Sequence, residues 1–322
     1  MVSASRFSLR AASAVSLTHS APRISANVAR AMRGRRKAVT RPSWQKTLIS
    51  IGFMLTVSEI ISAALRVDGV APLSESYLRR LDQAVLLDDA GVLAGVMITD
   101  DDQVAEIVVH PDYRNRGIAQ RALAGVSGVW AHGDLPAAQH VAAKLGLVKT
   151  RELVVMSITE PALSAAADVS IPEGMRIEHL SGPDKELDEK LLKVNNEAFS
   201  WHPEQGGWDM QRLEQARDTD WFRFEDVIVV FEDEDLIGFH WTKRHGDLRA
   251  GAKGEVYVVG LADSARGRGL GGVLVSAGLA HLVEQGAREV ILYVEKDNQP
   301  AVKRYRDMGF EVVERHAVYS RL

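Results

Sequence analysis

The chain has 322 residues, 46% of them hydrophobic, which is enough for two compact domains that each bury a core. Its net charge of -4 is unevenly spread: residues 1–53 carry ten Lys/Arg and no Asp or Glu, leaving 29 basic against 43 acidic residues, a net -14, in the remainder. So acidic a body is a poor match for nucleic-acid phosphates, and the lack of cysteine excludes disulfides, thiolate metal sites and cysteine nucleophiles while fitting a reducing, cytoplasmic setting.

Residues 1–53 are Ser/Ala/Arg-rich without a steady period, which reads as a disordered arm, a targeting segment or an over-extended start with Met54 as the true one. The apolar stretch Leu48 to Leu65 has the look of a spanning segment, but Glu59 interrupts it and Thr56-Val57-Ser58-Glu59 fits a helix capping box. A soluble helix, and no membrane, is the expectation. A helical region then runs from Val57 to Leu81, followed by a hairpin AVLLDDAGVLAGVMIT and a strand AEIVVHP. Next come a glycine-bearing motif YRNRGIAQRAL (Tyr113 to Leu123) with a helix to about Val129, a helix Pro136 to Leu145 and a strand ELVVMSI. The Ala/Ser/Pro content of residues 161–174 marks a linker.

The second half repeats the order. MRIEHL reads as a strand, Glu186 to Ser200 and Trp208 to Thr219 as helices, and DVIVVFEDEDLIGFHWTKRH as a hairpin turning at Glu234-Asp235. A strand GEVYVVGL, the motif SARGRGLGGVL (Ser264 to Leu274), a helix to Ala287, a strand EVILYVEKDN, a helix Pro300 to Met308 and a closing strand from Glu311 complete it. An echo at a spacing of about 152 residues is duplication of a whole domain, residues 54–160 and 175–322, and the class is a mixed α/β sheet.

The first N–H groups of a helix lack carbonyl partners and, with the helix dipole, attract an anion. Gly267, Gly269 and Gly271 let the main chain approach that anion and adopt positive φ, and Arg266 and Arg268 can add charge. No Gly-Lys-Ser/Thr follows, so a P-loop is excluded, whereas Gly267, Gly269 and Gly272 also satisfy the dinucleotide spacing with an acid in Glu295 or Asp297. A plain glycine-rich turn remains the simplest alternative.

The surroundings favour one reading. Arg266-x-x-Gly269-x-Gly271 after a strand, then a helix, a strand, Asn298, a short helix carrying Tyr305, and Gly309-Phe310, resembles the acyl-CoA signature of the GNAT acetyltransferase superfamily. Arg114-x-x-Gly117-x-Ala119 fits a looser form of it. The stretches VDGVAPLSESYL, NNEAFSWHPEQGGW, GFHWTK, GEVYVVGL and ILYVEKDNQPAVKRY are similar to the mycothiol synthase family of tandem GNAT enzymes, from about residue 55 onward. The resemblance implies two tandem GNAT-like domains, acetyl-CoA as co-substrate, and acetylation of the cysteinyl α-amine of Cys-GlcN-Ins, the last step of mycothiol synthesis. It places acetyl-CoA on Val259, Gly260 and Leu261, on Arg266, Gly267, Arg268, Gly269, Leu270, Gly271 and Gly272, and on Asn298, Gln299, Pro300, Ala301, Val302 and Lys303. The first-half equivalents are Ile107, Val108 and Val109, and Asn115, Arg116, Gly117, Ile118, Ala119 and Gln120.

Aligning Gly117 with Gly269 sets Gln103 against Glu255, and aligning Gly146 with Gly309 sets Ala142 against Tyr305 and Leu135 against Asn298. The first half thus lacks both proton-transfer groups and is expected either to bind CoA silently or to act as scaffold. In the second half a protonated α-amine, titrating near ~7.7 to 8.0, has to lose a proton before attack. Glu255 is the candidate base, with a strand-borne solvated carboxylate as its alternative. Tyr305 resembles the family's general acid for the departing thiolate, with a packed helix-face aromatic as its alternative. Main-chain N–H groups of Val259 to Leu261, on a splayed strand, suit the carbonyl oxygen.

The resemblance assigns substrate contacts to Glu75, Glu204, Lys243, Glu255 and Tyr293, and Glu75 would bring the first domain into the site. The loop RHGDLRAGAKG after Lys243 bears on how far that lysine reaches. Histidines 110, 132, 140, 202, 240, 245, 281 and 316 show no zinc spacing, so no metal is expected. A monomer with a small-molecule substrate is expected. Acetylation of another primary amine and a non-catalytic acetyl-CoA-binding protein are the competing functions.

Overall fold

The computed structural model describes residues 55–200 and 205–321. They form two compact units, one of residues 152–315 and one of residues 55–151 with 316–321. Among them no helix is long and apolar enough to cross a membrane.

The smaller-numbered unit opens with helix α1 (Val57–Asp68). The expected capping box is present: the Glu59 amide donates to the Thr56 hydroxyl at 3.2 Å and the Thr56 amide donates to the Glu59 carboxylate at 2.7 Å. Such a cap contributes about 1 kcal/mol, and Gly69 ends the helix at φ 72. Ile60, Ile61 and Ala64 turn inward onto Val96 and Val108. Helix α2 (Glu75–Leu78) follows. Strands β1 (Val85–Asp89) and β2 (Val92–Thr99) then make the expected hairpin, turning on Ala90 and Gly91 with φ 52 and 83, the two positive values a tight hairpin requires.

β3 (Val104–Val109) leads to the first glycine motif and to α3 (Ile118–Ala122), where the expectation and the structure part. The helix expected to reach Val129 ends after five residues, and Gly128–His132 is a strand, β4. Parallel pairing to β3 at Val104 and Ala105, and antiparallel pairing to residues 316–320, hold it on both edges. Five residues have too little periodicity to declare this; their partners do. α4 (Pro136–Lys144) and β5 (Val148–Thr159) follow as expected.

The other unit has the strand order β5-β10-β9-β8-β7-β6, with β6 (Met175–His179), β7 (Val227–Glu232), β8 (Asp235–Arg244), β9 (Gly254–Leu261) and β10 (Glu289–Glu295). The β7–β8 turn falls on Asp233 and Glu234, one residue before its expected place. On one face α5 (Ala162–Ala166), α8 (Leu270–Glu284) and α9 (Gln299–Asp307) bury Leu163, Leu274, Leu279, Val302 and Tyr305 against Val256, Leu292 and Val294. On the other, α6 (Lys185–Ala198) and α7 (Met210–Arg217) pack Leu191 and Leu213 near Phe239, Trp241 and Val258.

The compact units cut across the linear division into 54–160 and 175–322. Residues 153–159 of β5 pair with β10, while residues 316–320 of β11 (Glu311–Ser320) pair with β4. Each half therefore donates its last strand to the other half's sheet. Part of the stretch expected to be a linker forms α5, whose Leu163 is fully buried.

Candidate active site

Strand β9 opens the site. It pairs with β10 only over Gly254, Glu255 and Val256, opposite Val290, Ile291 and Leu292. On its other edge the register with β8 jumps between Trp241–Val258 and Thr242–Val256, so Tyr257 is a bulged residue that bends the strand. The Ala262 amide donates to the Ile237 carbonyl at 2.9 Å, toward β8. Backbone groups alternate along a strand, so those of Val259 and Leu261 face away from β8, on the edge where β10 has parted. This is the splay expected for the carbonyl-oxygen donors.

The strand runs into the glycine loop. Gly267 and Gly269 adopt φ 75 and 81, conformations that a Cβ opposes, and Leu270 begins α8 directly after. A cleft of about 400 Å³ lies there, bounded by Leu261, Arg266, Gly267, Gly269, Leu270, Gly271 and Gly272 and by Pro300, Ala301 and Lys303 of α9. Asn298 caps α9 by accepting from the Ala301 amide at 3.3 Å. The Gln299 side-chain NH2 donates to the Lys296 carbonyl, and Val302 points into the core.

The two loop arginines take different directions. Arg268 turns away to a bidentate pair with Glu232 at 2.9 and 2.5 Å, and does not line the cleft. Arg266 does line it, held by Asp263 at 2.6 Å and by the Glu197 carbonyl at 2.7 Å. A cation the sequence reading missed, Arg304, lies over the loop: a Cβ on Gly272 would come within 1.8 Å of its guanidinium. Its position one turn after Pro300 on α9 was the available signal.

Three of the expected substrate contacts share one sheet face. Lys243 and Glu255 are directly opposite on β8 and β9, Glu255 is opposite Ile291 on β10, and Tyr293 lies two residues on. Glu255 is 0% exposed, so the solvated-carboxylate alternative is excluded. Lys243 is equally buried, its Nζ 4.5 Å from the Trp221 ring centroid and 5.7 Å from that of Tyr257. A second missed residue is His245, whose Nε2 lies 2.7 Å from Glu255 Oε2. Tyr305 belongs to the cluster on the opposite face, edge-on to Phe310, and burial pushes its phenol up to about 12.

The other unit carries a parallel loop. Asn115 and Gly117 adopt φ 62 and 73, matching Gly267 and Gly269, beside a cleft of about 740 Å³ bounded by Ile107, Val108, Val109, Asn115, Gly117, Ile118, Ala119 and Gln120. Arg116 is drawn to Asp89 at 2.6 Å and Arg114 is clamped by Asp68. Leu135 stands at the N-terminal boundary of α4 with no capping side chain and Ala142 is buried on the helix, the positions of Asn298 and Tyr305. Gln103 lies in the turn before β3. The buried carboxylate of this unit is instead Glu106, engaged by the Ser74 amide at 2.6 Å and by His132 at 3.1 Å. Glu75 opens α2 and pairs with Arg79 at 2.7 Å; Glu204 falls outside the described residues.

Comparison with known proteins agrees with this architecture. The profile of the acetyltransferase (GNAT) family matches residues 191–310. The chain is 48% identical over 283 residues to a mycothiol acetyltransferase of Corynebacterium diphtheriae, covering 82% of this chain and 92% of that one. It is 41% identical over 301 residues to a mycothiol acetyltransferase of Mycolicibacterium vanbaalenii, covering 86% and 96%. A crystal structure of a GCN5-related N-acetyltransferase from Sphaerobacter thermophilus aligns with a TM-score of 0.56 at 20% identity, over 81% of this chain and 90% of that one. A tandem GNAT protein from the clavulanic acid pathway aligns at 0.55 and 16%, over 74% and 83%.

Proposed function

Since the chain belongs to the mycothiol acetyltransferase family and is an acetyl-CoA-dependent N-acetyltransferase, we propose that it acetylates the cysteinyl α-amine of Cys-GlcN-Ins. The observation that carries the reading is the parting of β9 from β10 beside the glycine loop, with buried Glu255 at its closed end. The diphosphate of acetyl-CoA rests on the main-chain nest at Gly267 to Gly271, and the pantetheine enters the opening between the strands.

Glu255 accepts a proton from the substrate ammonium, directly or through a water, and the freed amine attacks the thioester carbonyl. Charge gathers on the carbonyl oxygen, where the Val259 and Leu261 amides donate. As the C–S bond breaks, Tyr305 donates its proton to the sulfur. A phenol held near 12 by burial stays protonated at neutral pH, and the same desolvation makes a buried thiolate more basic than one in water. Lys243 and Tyr293 meet the hydroxyls of the sugar and inositol on the Glu255 face.

The unit of residues 55–151 holds CoA without turnover: its nest and cleft persist where Ala142 and Gln103 replace the phenol and the carboxylate. Incubation with acetyl-CoA and thiol-blocked Cys-GlcN-Ins, read by mass spectrometry, tests the function. N-acetyl product supports it, product only with other amines redirects the substrate, and CoA binding without any product overturns it.

A further inference from the structure

We infer that His245 is a positioning residue for Glu255, and this rests on the reading of Glu255 as the base. A carboxylate accepts and does not donate, so the imidazole nitrogen 2.7 Å from Oε2 is the donor, Nε2–H. Oε1, the second oxygen of the same fully buried group, has no hydrogen-bond partner among the described residues. One oxygen is therefore anchored and the other left with its lone pairs for an incoming proton.

The histidine is itself fixed. Its amide donates to the Lys253 carbonyl at 3.0 Å, closing the loop that follows β8. Between these ends Asp247 accepts from the Arg249 amide, Leu248 sinks into the core, and Gly251 turns at φ 90. The His245 side chain is 7% exposed and its Nδ1 is buried without a partner among the described residues, so the ring's observed polar contact is to Glu255.

The alternative partner for that carboxylate is Lys243, directly across the strand pair. Its ammonium lies against the Trp221 and Tyr257 rings. Pairing there would occupy the oxygen that has to take the proton. The Nε2–H bond prevents this by holding the side chain in one rotamer, so the loop after β8 governs the base without touching substrate. Of the cations next along the chain, Arg244 pairs with Asp226 and Lys253 with Glu289.

The test compares His245→Gln, whose side-chain amide keeps an N–H near the position of Nε2, with His245→Met, which fills similar space without a donor. With Glu255→Gln nearly inactive, the Met variant should lose more than about tenfold in kcat while its KM for acetyl-CoA stays within about twofold, and the Gln variant should keep kcat within about threefold. His245→Asn, whose amide falls short of Glu255, should behave as Met does and replaces it if the Met protein does not fold. Equal loss in the Gln and Met variants overturns the inference, as does wild-type kcat in Met or Asn. Full activity of Glu255→Gln would instead remove the underlying base assignment.

Discussion

His240 donates through Nδ1 to the Leu274 carbonyl at 2.8 Å, in a gap that glycine at 278 leaves in the next turn of α8. A Cβ at Gly278 would lie 2.0 Å from the ring, which is itself fully buried on β8. The helix and the strand that presents Lys243 are thus pinned together three residues before that lysine.

Gly278→Ala should therefore destabilise the fold by about 1–3 kcal/mol, the range for an overfilled core. Denaturant unfolding measures it. An unchanged midpoint would mean that the ring has room to retreat.

Acid should loosen the same contact. Burial depresses His240 to about 4, helped by the charge of His281 and opposed by its bond to Leu274. The unfolded chain takes up this proton near pH 6.5 and the folded chain only near 4, so the stabilisation is present above 6.5 and is lost as pH falls between them. Unfolding free energies across that window should decline less steeply in His240→Leu than in the wild type.

Glu255→Gln and Tyr305→Phe should each lower kcat more than about tenfold and leave acetyl-CoA binding nearly intact, because neither group grips the diphosphate. Steady-state kinetics beside calorimetric titration separates the two effects. Normal turnover in both would refute the proton-transfer roles. Tyr305→Phe should also change alkaline stability: a phenol raised from 10 to about 12 is ionised first in the unfolded chain, so its share of stability is whole below pH 10 and lost as pH rises toward 12. The phenylalanine variant should lose stability less steeply there.

Gly269→Ala should act on binding. At φ 81 a Cβ costs roughly 1–2 kcal/mol and crowds the anion nest, so KM for acetyl-CoA should rise about tenfold with kcat largely retained. A fall in kcat alone would point away from the nest as the diphosphate cradle.

Much of this was readable from short stretches. The Thr56–Glu59 cap, the Ala90-Gly91 turn and the positive φ of Gly267 and Gly269 follow from neighbours within four residues. Glu255 stands out as a carboxylate on the strand that feeds the glycine loop, and Tyr305 through its resemblance to the general acid of the GNAT family. Other features were not legible because their cause lies far along the chain. β4 is a strand because β3 and β11 flank it, and Arg268 leaves the cleft because Glu232, on β7, captures it.

Backbone preference, capping and turn chemistry act over a few residues, so the order of elements, the loop geometry and the repeated half were already present in the amino-acid order. Pairing and burial act between segments brought together only by folding. They decided that β5 and β11 change units, that Lys243 and Glu255 share a face, and that His245, ten residues before Glu255, returns to hold it.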